Sequence, residues 1–139
     1  TPTLNGSVVG FDFNPTVDRI RLVTANGQNL RLNPETGTVA ATDGNLNPGS
    51  PMITAVAYTN NKAGVTTTTL YDIDPNTDRL YRQDPPNNGT LVDVGPLGLS
   101  VSSVGGFDIG PDGRGIVSVV FDGKPELDYI DLSTGKLQK

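Results

Sequence analysis

Apolar and β-branched residues fall in short runs between clusters of Gly, Pro, Asn and Asp: Val8–Phe13, Arg19–Ala25, Asn29–Leu32, Thr66–Ile73, Arg79–Gln83, Thr90–Val94, Gly115–Phe121 and Leu127–Leu132. Ile20/Leu22 and Leu30/Leu32 alternate with polar neighbours, the period-2 pattern of a strand with one apolar face. Met52–Ala63, the longest stretch free of Gly and Pro, is rich in Ile, Thr, Val and Tyr and is assigned as strand. Ser50-Pro51 resembles a helix start, but no Glu or Gln follows to complete a capping box. Asn26-Gly27, Asn88-Gly89, Pro111-Asp112-Gly113, Asp122-Gly123 and Thr134-Gly135 supply residues that accept the positive φ of tight hairpins. The pattern predicts an antiparallel all-β chain.

The runs repeat. Gly10-Phe11-Asp12-Phe13-Asn14-Pro15 returns as Gly106-Phe107-Asp108-Ile109-Gly110-Pro111, and Ala55-Val56-Ala57-Tyr58-Thr59-Asn60 takes the corresponding place between them, at offsets of 45 and 51 residues. Each is followed by a second strand and then by a turn-plus-strand, ending in Thr36-Gly37-Thr38-Val39, Asn88-Gly89-Thr90-Leu91 and Thr134-Gly135-Lys136-Leu137. A four-stranded unit of this period is the signature of a β-propeller blade. The expectation is a single propeller-type domain over 1–139, with about three four-stranded antiparallel blades at 5–50, 51–100 and 101–139. Closed propellers have four to eight blades, so three form an incomplete ring with open edges. A second likeness cuts across this register: Asp12-Phe13-Asn14-Pro15-Thr16-Val17-Asp18-Arg19-Ile20 matches Asp72-Ile73-Asp74-Pro75-Asn76-Thr77-Asp78-Arg79-Leu80. It is read as one hairpin turn used in two places.

Composition narrows the chemistry. The chain has no His, Cys or Trp, which removes imidazole bases, ordinary triads and the customary ligands of zinc, copper, haem and iron–sulfur sites. A net charge of −5 without a cluster of Lys or Arg argues against nucleic acid as a partner. No apolar run approaches the length of a spanning helix, so no membrane insertion is expected. Thr1–Gly6 has neither the basic start nor the apolar stretch of a signal peptide, and the lack of an initiator Met suggests a processed chain or a piece of a longer one. Abundant Thr, Asn, Gly and Asp with four Lys fits an exported bacterial protein, extracellular or at the cell surface.

Gly10–Arg21, Gln28–Pro34, Thr67–Asp74 and Asn87–Leu91 together resemble a bacterial β-propeller-like family, the domain of unknown function 4394. The resemblance covers nearly the whole chain. It implies a secreted or surface protein, usually longer than this chain with further repeats before the segment at Thr1, and it brings no catalytic residues.

Candidate chemistry is sparse. Asp72-x-Asp74-x-Asn76-x-Asp78 spaces its oxygen donors like the first half of a calcium loop, but Thr77 stands where an EF-hand needs Gly and Gln83 where it needs a bidentate Glu. Oxygen-bound metals such as calcium or magnesium stay open by composition, calcium is the lesser reading of this string, and a solvated hairpin is the preferred one. Asp12 with Arg19, Asp72 with Arg79, and Asp108 with Arg114 are expected to form cross-strand pairs that hold register. Gly105-Gly106 precedes a strand, not the helix a phosphate cradle needs, and the sequons at Asn5 and Asn88 read as ordinary turns. Thr66–Thr69 is assigned to a solvated strand face.

The functional expectation is a non-catalytic, exported module for protein interaction or self-assembly, paired through open blade edges with copies of itself or with missing blades of a longer chain. Val8–Phe13 and Gly115–Lys139 would carry that contact as ring or filament. The alternatives are a propeller that binds a glycan or small molecule and, below it, a hydrolase that uses carboxylates alone.

Overall fold

The computed structural model describes residues 1–7 and 9–139. Val8, expected to open the first strand, lies outside the described residues. The described residues form three four-stranded antiparallel sheets and no α-helix. Blade 1 holds β1 (Val9–Asn14), β2 (Arg19–Thr24), β3 (Asn29–Leu32) and β4 (Val39–Thr42) in that order. Blade 2 holds β5 (Ala55–Tyr58), β6 (Leu70–Asp74), β7 (Arg79–Gln83) and β8 (Leu91–Pro96). Blade 3 holds β9 (Ser103–Ile109), β10 (Gly115–Phe121), β11 (Lys124–Ile130) and the short β12 (Leu137–Gln138). The first strands neighbour one another, β1 beside β5 and β5 beside β9, and the three sheets do not close into a ring.

Two strand expectations are shortened. Met52–Ala63 contributes only β5, and Thr66–Ile73 begins pairing as strand at Leu70. The reused turn is present: Asn14 Oδ1 accepts Thr16 N–H at 2.8 Å between β1 and β2, and Asp74 Oδ1 accepts Asn76 N–H at 2.8 Å between β6 and β7. A short polar side chain that satisfies the backbone two residues on explains why the same string serves two different hairpins.

Blades stack through their faces. Val23, Ile53, Val56 and Leu70 are sealed between blades 1 and 2; Ile73, Leu80, Leu97 and Val117 between blades 2 and 3. Full burial of such side chains stabilises the fold by about 1.5–3 kcal/mol each. At the first seam the backbones come very close, because a Cβ on Gly10 would lie 3.0 Å from both the N and Cγ1 of Val56.

The seat by which one blade receives the blade before it occurs twice. In blade 2, Leu91 N–H donates to Asn47 O at 2.8 Å, and in blade 3 Leu137 N–H donates to Leu97 O at 2.9 Å. The turn before each has a glycine at positive φ, Gly89 (68°) and Gly135 (85°), pressed on carbonyls of the preceding blade. A Cβ on Gly135 would sit 2.6 Å from Gly95 O. Gly37 (67°) holds the same place in blade 1, and a Cβ there would meet no atom within 4 Å.

Gly135→Ala therefore adds a backbone clash to the left-handed strain, whereas Gly37→Ala incurs the strain alone. In urea melts Gly37→Ala is expected to cost about 1 kcal/mol and Gly135→Ala at least twice that. Equal costs would refute the asymmetry of the two seats.

Candidate functional site

The seam between blades 1 and 2 contains a buried polar cluster within otherwise apolar strands. Arg21, 2% exposed, projects from β2 between Ile20 and Leu22. Its Nη1 donates to Asn29 Oδ1 and Asp43 Oδ2, both at 2.7 Å, and its Nη2 to Asn87 Oδ1 at 2.8 Å. Nε reaches Tyr58 Oη at 3.4 Å. Asn87 and Tyr58 belong to blade 2, so one guanidinium ties the two blades together. Asp43 also takes a bidentate bond from Arg31, 2.8 Å at each oxygen. Burial works against the ionised Asp43, but the hydrogen bonds and charges of Arg31 and Arg21 together outweigh it and hold its pKa below the ordinary carboxylate value. Asn29 donates onward to Gly44 O and Pro86 O, and Gln83 to Pro86 O at 2.7 Å.

Asp72 lies on β6 in the same interior, and neither of its oxygens has a hydrogen-bond partner among the described residues. Burial pushes its pKa well above the ordinary value against the opposing pull of Arg21.

The expected Asp/Arg pairs are not formed. Asn14 stands opposite Arg19, so Asp12 stands opposite Arg21; likewise Asp74 faces Arg79 and Asp72 faces Tyr81. Asp12 instead accepts Phe13 N–H at 2.8 Å and, across the seam, Tyr58 N–H at 2.7 Å. Arg19 caps Asp18 O, and Arg79 binds Asp93 bidentately at 2.7 Å across β7 and β8. Arg114 is beside Asp112 at 3.4 Å, while Asp108 accepts Ile109 N–H at 2.9 Å. Asp12 and Asp108 thus share one local geometry on β1 and β9, but only Asp12 has a following blade for its second oxygen.

The calcium string is dispersed. Asp72 is sunk in the seam, Asp74 accepts the N–H groups of Met52 (3.0 Å), Asn76 and Thr77, and Asp78 Oδ1 accepts Val101 N–H at 2.8 Å. Among the described residues no three acidic side chains group as metal ligands. Asp74 thus serves as a turn acceptor and Asp78 as a linker acceptor, and the solvated hairpin expected from sequence is corrected, because Asp72 and Asp74 are buried and both turn carboxylates bond backbone from outside the hairpin.

The terminal blades carry apolar faces with no blade against them. Phe11 and Phe13 share a face with Leu22 and Ile20 opposite them, away from the Arg21 and Val23 side that meets blade 2. Phe13 is 57% exposed, and the two rings pack edge to face with centroids 6.3 Å apart. On blade 3, Ile116 stands opposite Tyr129 and Ser118 opposite Leu127, which is 72% exposed; Val117 and Val119 point the other way into the core.

Sequence reasoning missed Arg21, Asn29, Asp43, Tyr58 and Asn87. The available signal was a lone Arg within Ile20–Val23, which alternation assigns to a solvated face.

The family described as Domain of unknown function (DUF4394) matches residues 1–139. No curated protein matches the chain. Among solved structures, the glutaminyl cyclase of Myxococcus xanthus, a β-propeller-like fold, is similar with a TM-score of 0.57 at 14% identity. That match covers 92% of this chain and 58% of the neighbour, so the chain spans under two thirds of it. At this identity the likeness shows the fold alone.

Asp43→Asn should cost about 2–3 kcal/mol in urea unfolding, because Arg21 keeps its two Asn partners but loses its countercharge. Asp72 acts in the opposite sense. Its folded form keeps a proton that the unfolded chain releases above pH about 4, so this group lowers stability as pH rises from there to its folded pKa. Asp72→Asn is expected to raise the melting temperature at pH 7 and to leave it nearly unchanged at pH 4; a variant less stable than the parent at pH 7 would contradict this.

Proposed function

The chain belongs to the DUF4394 family, and we propose that it is a non-catalytic, exported propeller-type module that works by protein interaction or self-assembly through the faces of its terminal blades. One observation carries this reading: the contacts that join blades inside the chain recur, unfilled, at both ends. Facing forward, Gly10 and Asp12 of β1 meet Val56 and Tyr58 of blade 2. Their counterparts Gly106 and Asp108 on β9 are exposed, and a Cβ on Gly106 would touch only Ser118 Oγ of its own sheet, at 3.6 Å. Facing backward, Gly89 and Gly135 receive a preceding blade while Gly37, with the exposed Val39 after it, receives none.

Such a surface fits another propeller blade. The two ends offer exposed apolar side chains, Phe11 and Phe13 on blade 1 and Ile116, Leu127 and Tyr129 on blade 3, with backbone-directed polar groups at set positions. The occupant is a blade of a longer polypeptide or, where this chain is alone, a second copy. Forward-to-backward contact of this kind gives a ring if the rotation closes and a filament if it does not. Open faces and the lack of imidazole and thiol both favour an interaction role over chemistry. Composition supports export.

Light scattering on the 139-residue chain should give a mass at least twice 14.6 kDa. Leu127→Glu and Phe13→Glu should return it to monomer with the circular-dichroism spectrum intact. Asp108→Ala should weaken association with no change in the monomer's melting temperature, whereas Asp12→Ala should lower it. A monomer at micromolar and higher concentration would overturn self-assembly.

A further inference from the structure

A groove opens on the Arg21 cluster where blades 1 and 2 meet, with a volume of ≈ 440 Å³. Arg21 and Arg31 line it with Tyr58, Asn87, Thr66 and Thr67. We propose that this groove binds a small organic anion that carries a carboxylate beside hydroxyl groups, of the sugar-acid class.

The charge balance comes first. Two guanidiniums contact one carboxylate, Asp43, and no Asp or Glu lines the groove. Asp72 behind them is held toward its neutral form by burial, so it does not supply the second negative charge. Asp12, opposite Arg21 in register, gives its two oxygens to backbone N–H groups. The groove wall itself thus presents two guanidiniums and no carboxylate in a partly enclosed space, where electrostatic attraction exceeds that in bulk water.

Donor geometry sets the ligand chemistry. Arg31 spends Nε and Nη2 on Asp43, and its Nη1 has no partner among the described residues. Tyr58 Oη accepts from Arg21 and retains its own hydrogen to donate. Asn87 gives only its oxygen to Arg21, which leaves its amide N–H groups free. Guanidinium, phenol and amide donors converging on one space match a carboxylate. The hydroxyls of Thr66 and Thr67 suit the alcohol groups of a sugar, and Val17 and Pro86 give its C–H faces apolar contact. The volume lies within the range of small-ligand sites. Binding here is independent of the assembly reading, since the groove lies at a seam internal to the chain.

The test is titration of the ¹⁵N-labelled chain with sodium glucuronate at fixed ionic strength, followed by amide NMR. The expected result is saturable shifts at Thr66, Thr67 and Asn87 with a Kd on the order of 1 mM or tighter. Glucose should bind at least tenfold more weakly. Arg31→Gln should weaken glucuronate at least tenfold, and Tyr58→Phe, which keeps the ring, should weaken it several-fold. Arg114→Gln, at the exposed turn of blade 3, should bind like the parent. No saturation with glucuronate, glucose binding as tightly, or Arg31→Gln binding unchanged would each overturn the assignment.

Discussion

A four-stranded sheet that is apolar on both faces has to be covered on both sides, and this requirement organises the whole molecule. Blade 2 meets it within the chain: Val56 and Leu70 turn toward blade 1, Ala55 and Ile73 toward blade 3. Blades 1 and 3 meet it on one side each. Ile20, Leu22, Leu30 and Leu32 form their own small buried cluster on the face of blade 1 away from blade 2, where Phe11 and Phe13 stay exposed. On blade 3 the uncovered face includes Leu127 at the highest exposure of any large apolar residue described. Water-exposed apolar area of this kind is the driving term for association.

The two seams solve the covering problem differently. That between blades 2 and 3 is closed by aliphatic side chains and by backbone fit at Gly95 and Gly135. That between blades 1 and 2 adds a guanidinium whose partners come from four segments: Asn29 on β3, Asp43 after β4, Tyr58 on β5 and Asn87 before β8. An apolar contact tolerates sliding, but a buried charge with directed partners does not, because each lost bond leaves a desolvated group unpaired. The seam is thereby fixed in register, with Arg21 and Arg31 lining the groove at its mouth.

Much of the fold was legible because it rests on local rules. Turn glycines, period-2 alternation and the near-45-residue repeat placed most strands and counted the blades. The Asn14 and Asp74 turns were legible as one device because an Asx turn depends only on neighbouring residues. The Asp/Arg pairs failed for a geometric reason. A hairpin that sets Asn14 opposite Arg19 advances one strand as it retreats along the other, so Asp12 meets Arg21 and not a residue seven positions on. Asp72 looked like a turn ligand by spacing, yet β6 runs through Asp74 and buries it. Thr66–Thr69, assigned to a strand face, precedes the strand and leads into the groove wall.

By itself the sequence determined that the chain is all-β and that its strands group in fours, since alternation, turn chemistry and period are properties of adjacent residues. Family membership was also readable in its strings. Tertiary structure decided which polar residues are buried and which faces stay open. Arg21 and Asp108 occupy unremarkable positions in their strands; one is sealed by a blade that stacks on it and the other is bare because none does. Burial is set by what lies across the seam, tens of residues away in the chain, and no pattern local to β2 or β9 carries that information.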